Sequence, residues 1–237
     1  MKSLVRHLVR FSCILGLASC ATQKPLPPGP GGADPQKELT NRVQASSCLG
    51  VLFVGNSYSF GLPKEFSKLA VEKGKVVRVG QSTFGGWTLA LHAAYEPTLK
   101  KIRDGQWDIV VIQEQSEIPA LAPRKRTALM FPPLRQLVKE VRDNGAIPVL
   151  YQTWGRRDGD KHIRNDDFHA MSARLRDGYR AAAANAGGLV VVPVGDAWER
   201  KLSAGKGNQL FMEDGSHPSA FGKRVIAESF YQTLWPK

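Results

Sequence analysis

The chain has 237 residues, with 33 lysines and arginines against 21 aspartates and glutamates, which gives a formal net charge of +12 at pH 7. The positive charges are dispersed, since the longest run is Arg124-Lys125-Arg126, and no zinc-finger or helix-turn-helix signature accompanies them. Composition therefore favours a solvated basic surface over nucleic-acid binding, and we expect no nucleic-acid partner.

The first residues of the chain have the pattern of an export signal. Three basic residues precede a short apolar run over residues 11–17, which is too short to span a bilayer as a helix. The segment Leu17-Ala18-Ser19-Cys20 resembles a bacterial lipobox, in which the cysteine is lipidated and the preceding peptide is removed. We therefore predict a lipoprotein signal peptide over residues 1–19 and lipidation at Cys20. The alternative is an ordinary small-residue cleavage site.

The segment after Cys20 is rich in proline and glycine. We predict that residues 20–45 form an extended tether and that residues 46–237 form one domain. By resemblance to bacterial lipoproteins, Ala21 after the lipidated cysteine indicates export to the outer membrane, facing the periplasm. The lipid would anchor the protein without spanning the membrane, and we expect a monomer.

Cysteine usage argues against a disulfide framework or a cysteine-based metal site. Only Cys48 would remain in the folded domain, so no intramolecular disulfide can form. Because it directly precedes an apolar run, we interpret it as a buried packing residue and not as a nucleophile.

Short apolar runs alternate with helical patterns through the rest of the chain. We predict strands over residues 51–54, 76–79, 108–112, 147–151 and 189–193. We predict helices over residues 63–73, 87–102, 133–144, 167–186 and 218–234, with Pro132-Pro133 as a break or kink and Gly145 as a C-cap. Continuous apolar strands separated by helices indicate a mainly parallel sheet covered on both faces. The predicted fold is a three-layer α/β/α sandwich with five strands.

A serine follows the first predicted strand in the segment Gly55-Asn56-Ser57. Ligands of such sheets bind beyond the carboxyl ends of the strands, where Gln113 and Gln115 also lie after the third strand. A serine hydroxyl becomes an effective nucleophile only when a base takes its proton. The segment alone is equally consistent with a turn that carries a polar cap.

The base is predicted near the other end of the chain, in Asp214-Gly215-Ser216-His217-Pro218. Pro218 favours an extended backbone at His217 and can occupy the first turn of the following helix. Asp214 lies three residues earlier, where it can orient the imidazole and stabilise its protonated form. We therefore predict that Ser57 is the nucleophile, His217 the base and Asp214 the orienting carboxylate of a serine hydrolase.

These segments resemble the sequence blocks of the SGNH, or GDSL, hydrolase superfamily. Gly55-Asn56-Ser57 matches the Gly-Asp-Ser block with Asn for Asp, and the segment 214–218 matches the closing Asp-x-x-His block. The resemblance implies a flavodoxin-like fold and an esterase that works through an acyl-enzyme, without metal or cofactor. It also implies an oxyanion hole that includes the backbone N–H groups of Ser57 and of Gly85 or Gly86.

The chain departs from this family in the third block, which normally reads Gly-x-Asn-Asp and supplies an Asn donor to the oxyanion. Here the segment reads Gln113-Glu114-Gln115-Ser116. A glutamine amide offers the same donor on a longer side chain. We expect Gln115 to replace the Asn, with Gln113 as the second choice.

Four residues near the predicted nucleophile are candidates for contact with substrate: Asn56, Tyr58, Trp87 and Trp154. The aromatic rings could stack on a sugar, which favours small acyl esters, such as O-acetyl groups, on envelope or dietary glycans as the substrate. Two other readings stay open. One is a non-catalytic glycan-binding or envelope lipoprotein on the same fold, and the other is an O-acyltransferase in which an alcohol replaces water.

Overall fold

The computed structural model describes residues 34–236, which build a five-stranded parallel sheet in the order β2-β1-β3-β4-β5. The strands are β1 (Leu49–Gly55), β2 (Val77–Thr83), β3 (Ile109–Ile112), β4 (Ile147–Gln152) and β5 (Val190–Pro193). All five occur where the apolar runs predict them. The strand order reverses beside β1, and in doubly wound sheets such a reversal opens a crevice at the carboxyl ends of the strands.

Helices cover both faces of the sheet, which confirms the predicted three-layer sandwich. They are α1 (Pro35–Ala45), α2 (Leu62–Glu72), α3 (Leu89–Ala94), α4 (Glu96–Asp104), α5 (Pro123–Asp143), α6 (Phe168–Asn185), α7 (Val194–Lys201), α8 (Gly207–Leu210) and α9 (Ala220–Leu234). The apolar side chains of α1, α2, α7 and α9 share one core cluster, whereas those of α3, α4 and α5 share the other.

Strand β1 shows why the strand sequences are continuously apolar. Val51 and Phe53 belong to the first core cluster, and Leu52 and Val54 belong to the second. Successive side chains of a strand point to opposite faces, so a sheet that is covered on both faces needs apolar residues at every position.

The prediction of a tether over residues 20–45 is wrong for its last part. Residues 35–45 form α1, whose N-cap Asp34 accepts a hydrogen bond from the backbone N–H of Gln36 at 2.9 Å. Leu39 and Val43, one turn apart, are 0% and 5% exposed and pack in the first core cluster. Burial of this apolar pair anchors the helix to the domain. The predicted signal peptide and Cys20 lie outside the described residues.

Cys48 is exposed, so its interpretation as a buried packing residue is wrong. Burial begins one residue later, at Leu49, the first residue of β1. Within residues 34–236, we find no helix that combines the length and the hydrophobicity of a membrane span.

Helix α5 runs through Pro132 and Pro133, where a break or kink was predicted. Both prolines lie at partly exposed positions, and the helix buries Phe131 and Leu134 on the same face before and after them. A proline inside a helix costs about 3 kcal/mol, and the continuous buried stripe offsets that cost. The predicted end of the helix is correct, since Gly145 follows it with a φ of +74°.

Two other predicted helices differ from the structure. The pattern over residues 87–102 is divided at Tyr95 into α3 and α4, because Pro97 in the first turn of α4 has no N–H to continue the earlier helix. The last helix begins at Ala220 instead of residue 218, with Ser219 as its N-cap. Helix α7, directly after β5, was not predicted.

Candidate active site

Ser57 lies in a short 3₁₀ turn, Ser57–Ser59, directly beyond the carboxyl end of β1. Its side chain is partly exposed, whereas Asn56 before it is buried. Gly55, the last residue of β1, has no room for a side chain, since a Cβ there would lie only 2.5 Å from the amide oxygen of Gln113. Glycine at this position therefore allows the chain that leads into the turn of Ser57 to lie close to Gln113.

The structure brings Ser57, His217 and Asp214 together from opposite ends of the described chain. The Nε2 atom of His217 lies 2.9 Å from the Oγ atom of Ser57, and its Nδ1 atom lies 2.5 Å from the Oδ2 atom of Asp214. The side chains of His217 and Asp214 are 38% and 46% exposed, so the arrangement is open to solvent.

The loop that carries His217 is folded around the carboxylate of Asp214. Its Oδ1 atom accepts hydrogen bonds from the backbone N–H groups of Ser216 and His217, both at 2.9 Å. Burial alone would raise the pKa of Asp214, but the hydrogen bond from the His217 ring and these two N–H groups outweigh it and lower that pKa to about 2. Asp214 is therefore ionised at neutral pH and can only accept the ring proton.

Gln113 lies next to the turn that carries Ser57, and its amide is bonded entirely within the protein. Its oxygen accepts from the backbone N–H of Asn56 and from the hydroxyl of Ser59, each at 3.0 Å. Its NH₂ group donates to the side-chain oxygen of Asn56 at 2.9 Å and to the carbonyl of Glu114 at 2.5 Å. All four hydrogen bonds that the fully buried amide can make are used within the protein. The prediction of Gln113 as an oxyanion donor is therefore wrong.

Asn56 connects three loops. The prediction that it contacts substrate is wrong, because its side chain is buried. Its side chain is 2% exposed, and its oxygen accepts from the backbone N–H of Tyr58 at 3.1 Å as well as from Gln113. Its NH₂ group donates to the carbonyls of Trp87 at 3.1 Å and of Glu114 at 3.4 Å. The Asn56 amide therefore joins the loops that follow β1, β2 and β3.

Gln115 is partly exposed at the same edge of the sheet. Its side-chain oxygen accepts from the backbone N–H groups of Glu117 at 2.7 Å and Ile118 at 3.2 Å, which orients the amide. The NH₂ group, which is the part that an oxyanion contact would need, is not used by these bonds. The role of Gln115 as the replacement donor stays a prediction.

Gly85 and Gly86 form the centre of a β-turn that is closed by a hydrogen bond from the Trp87 N–H to the Phe84 carbonyl at 3.2 Å. Gly86 has a φ of +72°, which glycine adopts without steric cost. The Phe84 N–H donates to the Gly55 carbonyl at 3.2 Å, so the turn is held against the end of β1. Both glycines are exposed, and their N–H groups donate to no residue in the described part of the chain.

Tyr58 and Trp154 support the histidine instead of binding substrate. Trp154 is 0% exposed, with its ring stacked between Tyr58, at a centroid distance of 4.7 Å, and Trp198, at 3.9 Å. The Tyr58 ring meets His217 edge to face at 5.4 Å, and its hydroxyl lies 2.5 Å from the hydroxyl of Ser216. The prediction that these two rings stack on a sugar is therefore wrong, because both are covered.

Trp87 is partly exposed next to the turn of Gly85 and Gly86. One side of its ring packs on Phe84, at 4.1 Å between centroids, and its edge contacts involve His92 and Tyr95, both at 5.1 Å. Of the aromatic side chains predicted to contact substrate, it is the one that remains accessible.

Two buried residues of the site were not predicted from the sequence. His92 is 0% exposed, and its Nε2 atom lies 2.9 Å from the Gly55 carbonyl. Glu114 is also 0% exposed, and burial raises its pKa to about 7 although the backbone N–H groups of Gln115 and Leu89 stabilise the carboxylate. Within the described residues, no group of three or more His, Cys, Asp and Glu side chains could hold a metal ion.

Comparisons with known proteins find structural similarity at low sequence identity. No protein-family model matches the sequence, and neither does any curated protein. A crystal structure of a DUF4886 family protein from Bacteroides uniformis superimposes with a TM-score of 0.70 and 19% identity, over 80% of this chain and 84% of that one. The acetyl xylan esterase AlAXEase gives a TM-score of 0.60 and 12% identity, over 79% of this chain and 100% of that one.

A lipase/acylhydrolase from Enterococcus faecalis is similar as well, with a TM-score of 0.58 and 17% identity, over 80% of this chain and 98% of that one. GDSL-like lipases and esterases thus recur among the structural neighbours, as the resemblance of the sequence blocks implied. The chain has the three-layer α/β/α fold of the SGNH/GDSL hydrolases.

Proposed function

We propose that this protein is a serine esterase that hydrolyses small acyl esters through Ser57, His217 and Asp214. The observation that carries the proposal is the continuous hydrogen-bonded arrangement of the three side chains, at 2.9 Å and 2.5 Å. It lies at the carboxyl edge of a parallel sheet, where such folds bind ligands. Esterases and lipases among the structural neighbours support the same reaction class.

We infer a role for each nitrogen of His217 from the two distances. Because the ionised Asp214 can only accept, the Nδ1 atom carries the proton and donates to it, which leaves the Nε2 lone pair facing the Ser57 hydroxyl. His217 can then take the proton of Ser57 as its oxygen attacks the ester carbonyl. The same proton passes to the leaving alcohol, and water, activated by His217, releases the acyl group from Ser57.

The negative charge that develops on the carbonyl oxygen needs donors that are already in place. We propose that the backbone N–H of Ser57, an N–H from the turn of Gly85 and Gly86, and the NH₂ group of Gln115 supply them. The turn is held to the end of β1 by the bond from Phe84 to Gly55. Loss of one such donor typically lowers the rate by about a hundred- to a thousandfold.

The substrate that fits the site best is an acetyl ester on a glycan. The reacting side chains are open to solvent, which suits an ester presented on a polymer. The exposed part of Trp87 next to the glycine turn offers an aromatic face to a sugar ring. An acetyl xylan esterase among the structural neighbours acts on an ester of this class.

The test is turnover of p-nitrophenyl acetate together with labelling by a fluorophosphonate probe. We expect Ser57→Ala to abolish both, while Ser67→Ala, which changes a partly exposed serine on α2, leaves both unchanged. Equal turnover by the wild type and Ser57→Ala would contradict the assignment of the nucleophile. A labelled peptide that contains a serine other than Ser57 would contradict it as well.

We further propose that the domain acts at the bacterial envelope as a lipid-anchored monomer, with the lipid on Cys20. This rests on the lipobox resemblance and the basic, apolar pattern before it. In a bacterial host, radiolabelled palmitate should enter the full-length protein and not its Cys20→Ala variant. Recovery of both forms in the soluble periplasmic fraction would contradict the anchor.

A further inference from the structure

Glu114 is a buried carboxylate that the proposed mechanism does not use. It follows β3 by two positions and is 0% exposed. One of its oxygens, Oε1, accepts hydrogen bonds from the backbone N–H of Leu89 at 3.0 Å and from its neighbour Gln115 at 2.7 Å. Burial of a carboxylate costs free energy unless hydrogen bonds compensate for the lost water. The groups that form these hydrogen bonds therefore indicate the role of Glu114.

The partners of Glu114 belong to the segments that carry the proposed oxyanion donors. Leu89 is the first residue of α3, two residues after the turn that contains Gly85 and Gly86. Gln115 carries the proposed side-chain donor. The backbone carbonyl of Glu114 accepts from the Asn56 amide at 3.4 Å, so the same residue also contacts the loop of the nucleophile.

We propose that Glu114 is a positioning residue of the esterase site, whose buried side chain holds the glycine turn and Gln115 in a fixed relation to Ser57. The inference rests on the proposed function, since it concerns the geometry of the same oxyanion hole. Oxyanion donors act only when they are held near 3 Å from the developing charge. Glu114 links two of the three segments that carry the proposed donors. We therefore expect its contacts to affect the rate of the chemical step more than the binding of substrate.

The contacts of Glu114 require an acceptor atom and not a negative charge. Within residues 34–236, no cationic side chain is close enough to shift the pKa of this carboxyl. The titratable group near it is Tyr179 of α6, which is itself buried. The second oxygen, Oε2, has no hydrogen-bond partner among the described residues. A carboxamide at this position keeps an oxygen for both N–H groups, whereas alanine removes the acceptor altogether.

This difference defines the experiment. Glu114→Ala, Glu114→Gln and a control, Asp108→Ala, are compared in kcat and KM for p-nitrophenyl acetate, together with amide hydrogen exchange at Leu89 and Gln115. Asp108 is a matched control because its carboxylate also accepts from a backbone N–H, that of Gly50 at 2.8 Å, but at the opposite end of β3.

We expect Glu114→Ala to lower kcat by about ten- to a hundredfold with little change in KM, because the donors are displaced and not deleted. Exchange at Leu89 and Gln115 should accelerate in the same variant. Glu114→Gln should restore kcat to within about threefold of the wild type and restore slow exchange. Asp108→Ala should leave kcat and both exchange rates unchanged.

Wild-type kcat in a folded Glu114→Ala protein overturns the proposal, and so does a Glu114→Gln variant that is as slow as Glu114→Ala. Unchanged exchange at Leu89 and Gln115 in Glu114→Ala overturns it independently of any turnover. Failure of the esterase proposal has a different signature, which is an unlabelled Ser57 in the wild type. In that case exchange still decides whether Glu114 holds the two segments, and the claim of a catalytic consequence falls.

Discussion

The buried carboxyl of Glu114 should make the stability of the domain depend on pH in a direction opposite to that of most acidic residues. Burial raises its pKa from the ordinary value of 4.5 to about 7. Between these values the native state binds more protons than the unfolded state, so the free energy of unfolding falls as the pH rises. The stabilisation is complete below the unfolded pKa and is lost as the pH passes about 7.

The size of this effect follows from the shift. One pKa unit corresponds to about 1.4 kcal/mol, so a shift from 4.5 to about 7 amounts to about 3 kcal/mol between pH 4 and pH 8. Since the side chain is 0% exposed, screening by solvent reduces this little. Urea unfolding of the wild type and of Glu114→Gln at both pH values isolates the contribution, because other groups titrate equally in the two proteins. Equal changes in the free energy of unfolding would refute the reasoning.

Three further substitutions test the site. Gln113→Leu keeps the side-chain volume but leaves the Asn56 N–H and the Ser59 hydroxyl without acceptors. It should therefore lower the free energy of unfolding, measured in urea, by roughly 2–6 kcal/mol. A loss below about 1 kcal/mol would contradict the hydrogen-bond network of Gln113. Asp214→Asn should reverse the imidazole tautomer and lower kcat on p-nitrophenyl acetate by on the order of a thousandfold or more; a fall below about tenfold would show that Asp214 does not orient the ring. Trp87→Ala should raise the KM for acetylated xylan about tenfold and leave the KM for p-nitrophenyl acetate unchanged. Equal effects on the two substrates would contradict the proposed contact between Trp87 and a sugar ring.

The layers of the fold could be predicted because each strand is buried on both faces and therefore reads as an unbroken apolar run. Helix α1 could not be predicted. Its sequence follows a proline-rich segment, and its buried residues Leu39 and Val43 pack against residues that are far away in the sequence. For α5, the prolines predicted a break that the burial of Phe131 and Leu134 overrides. Local signals failed where tertiary burial decided the outcome.

At the site, the segments with Ser57 and with Asp214 and His217 could be recognised because each carries its chemistry within a few neighbouring positions. The role of Gln113 could not be predicted, since its main partner, Asn56, is 57 positions away along the chain. The covering of Trp154 could not be predicted either. Its ring is stacked between Tyr58 and Trp198, and Trp198 belongs to α7, a helix that was not predicted. Side-chain type alone does not show which face of a loop is covered.

The structure gives a physical reason for Asn56, which stands where the SGNH sequence block that this segment resembles has Asp. Its NH₂ group donates to two carbonyls, those of Trp87 and Glu114, and a carboxylate would turn acceptor atoms towards both. It would also place a negative charge at a position that is only 2% exposed. Gln113 completes the pattern, because its NH₂ group meets the oxygen of Asn56 while its own oxygen receives the Asn56 N–H. Residues 56 and 113 therefore act together as a pair of amides that bind each other and hold the loop of Ser57 in place.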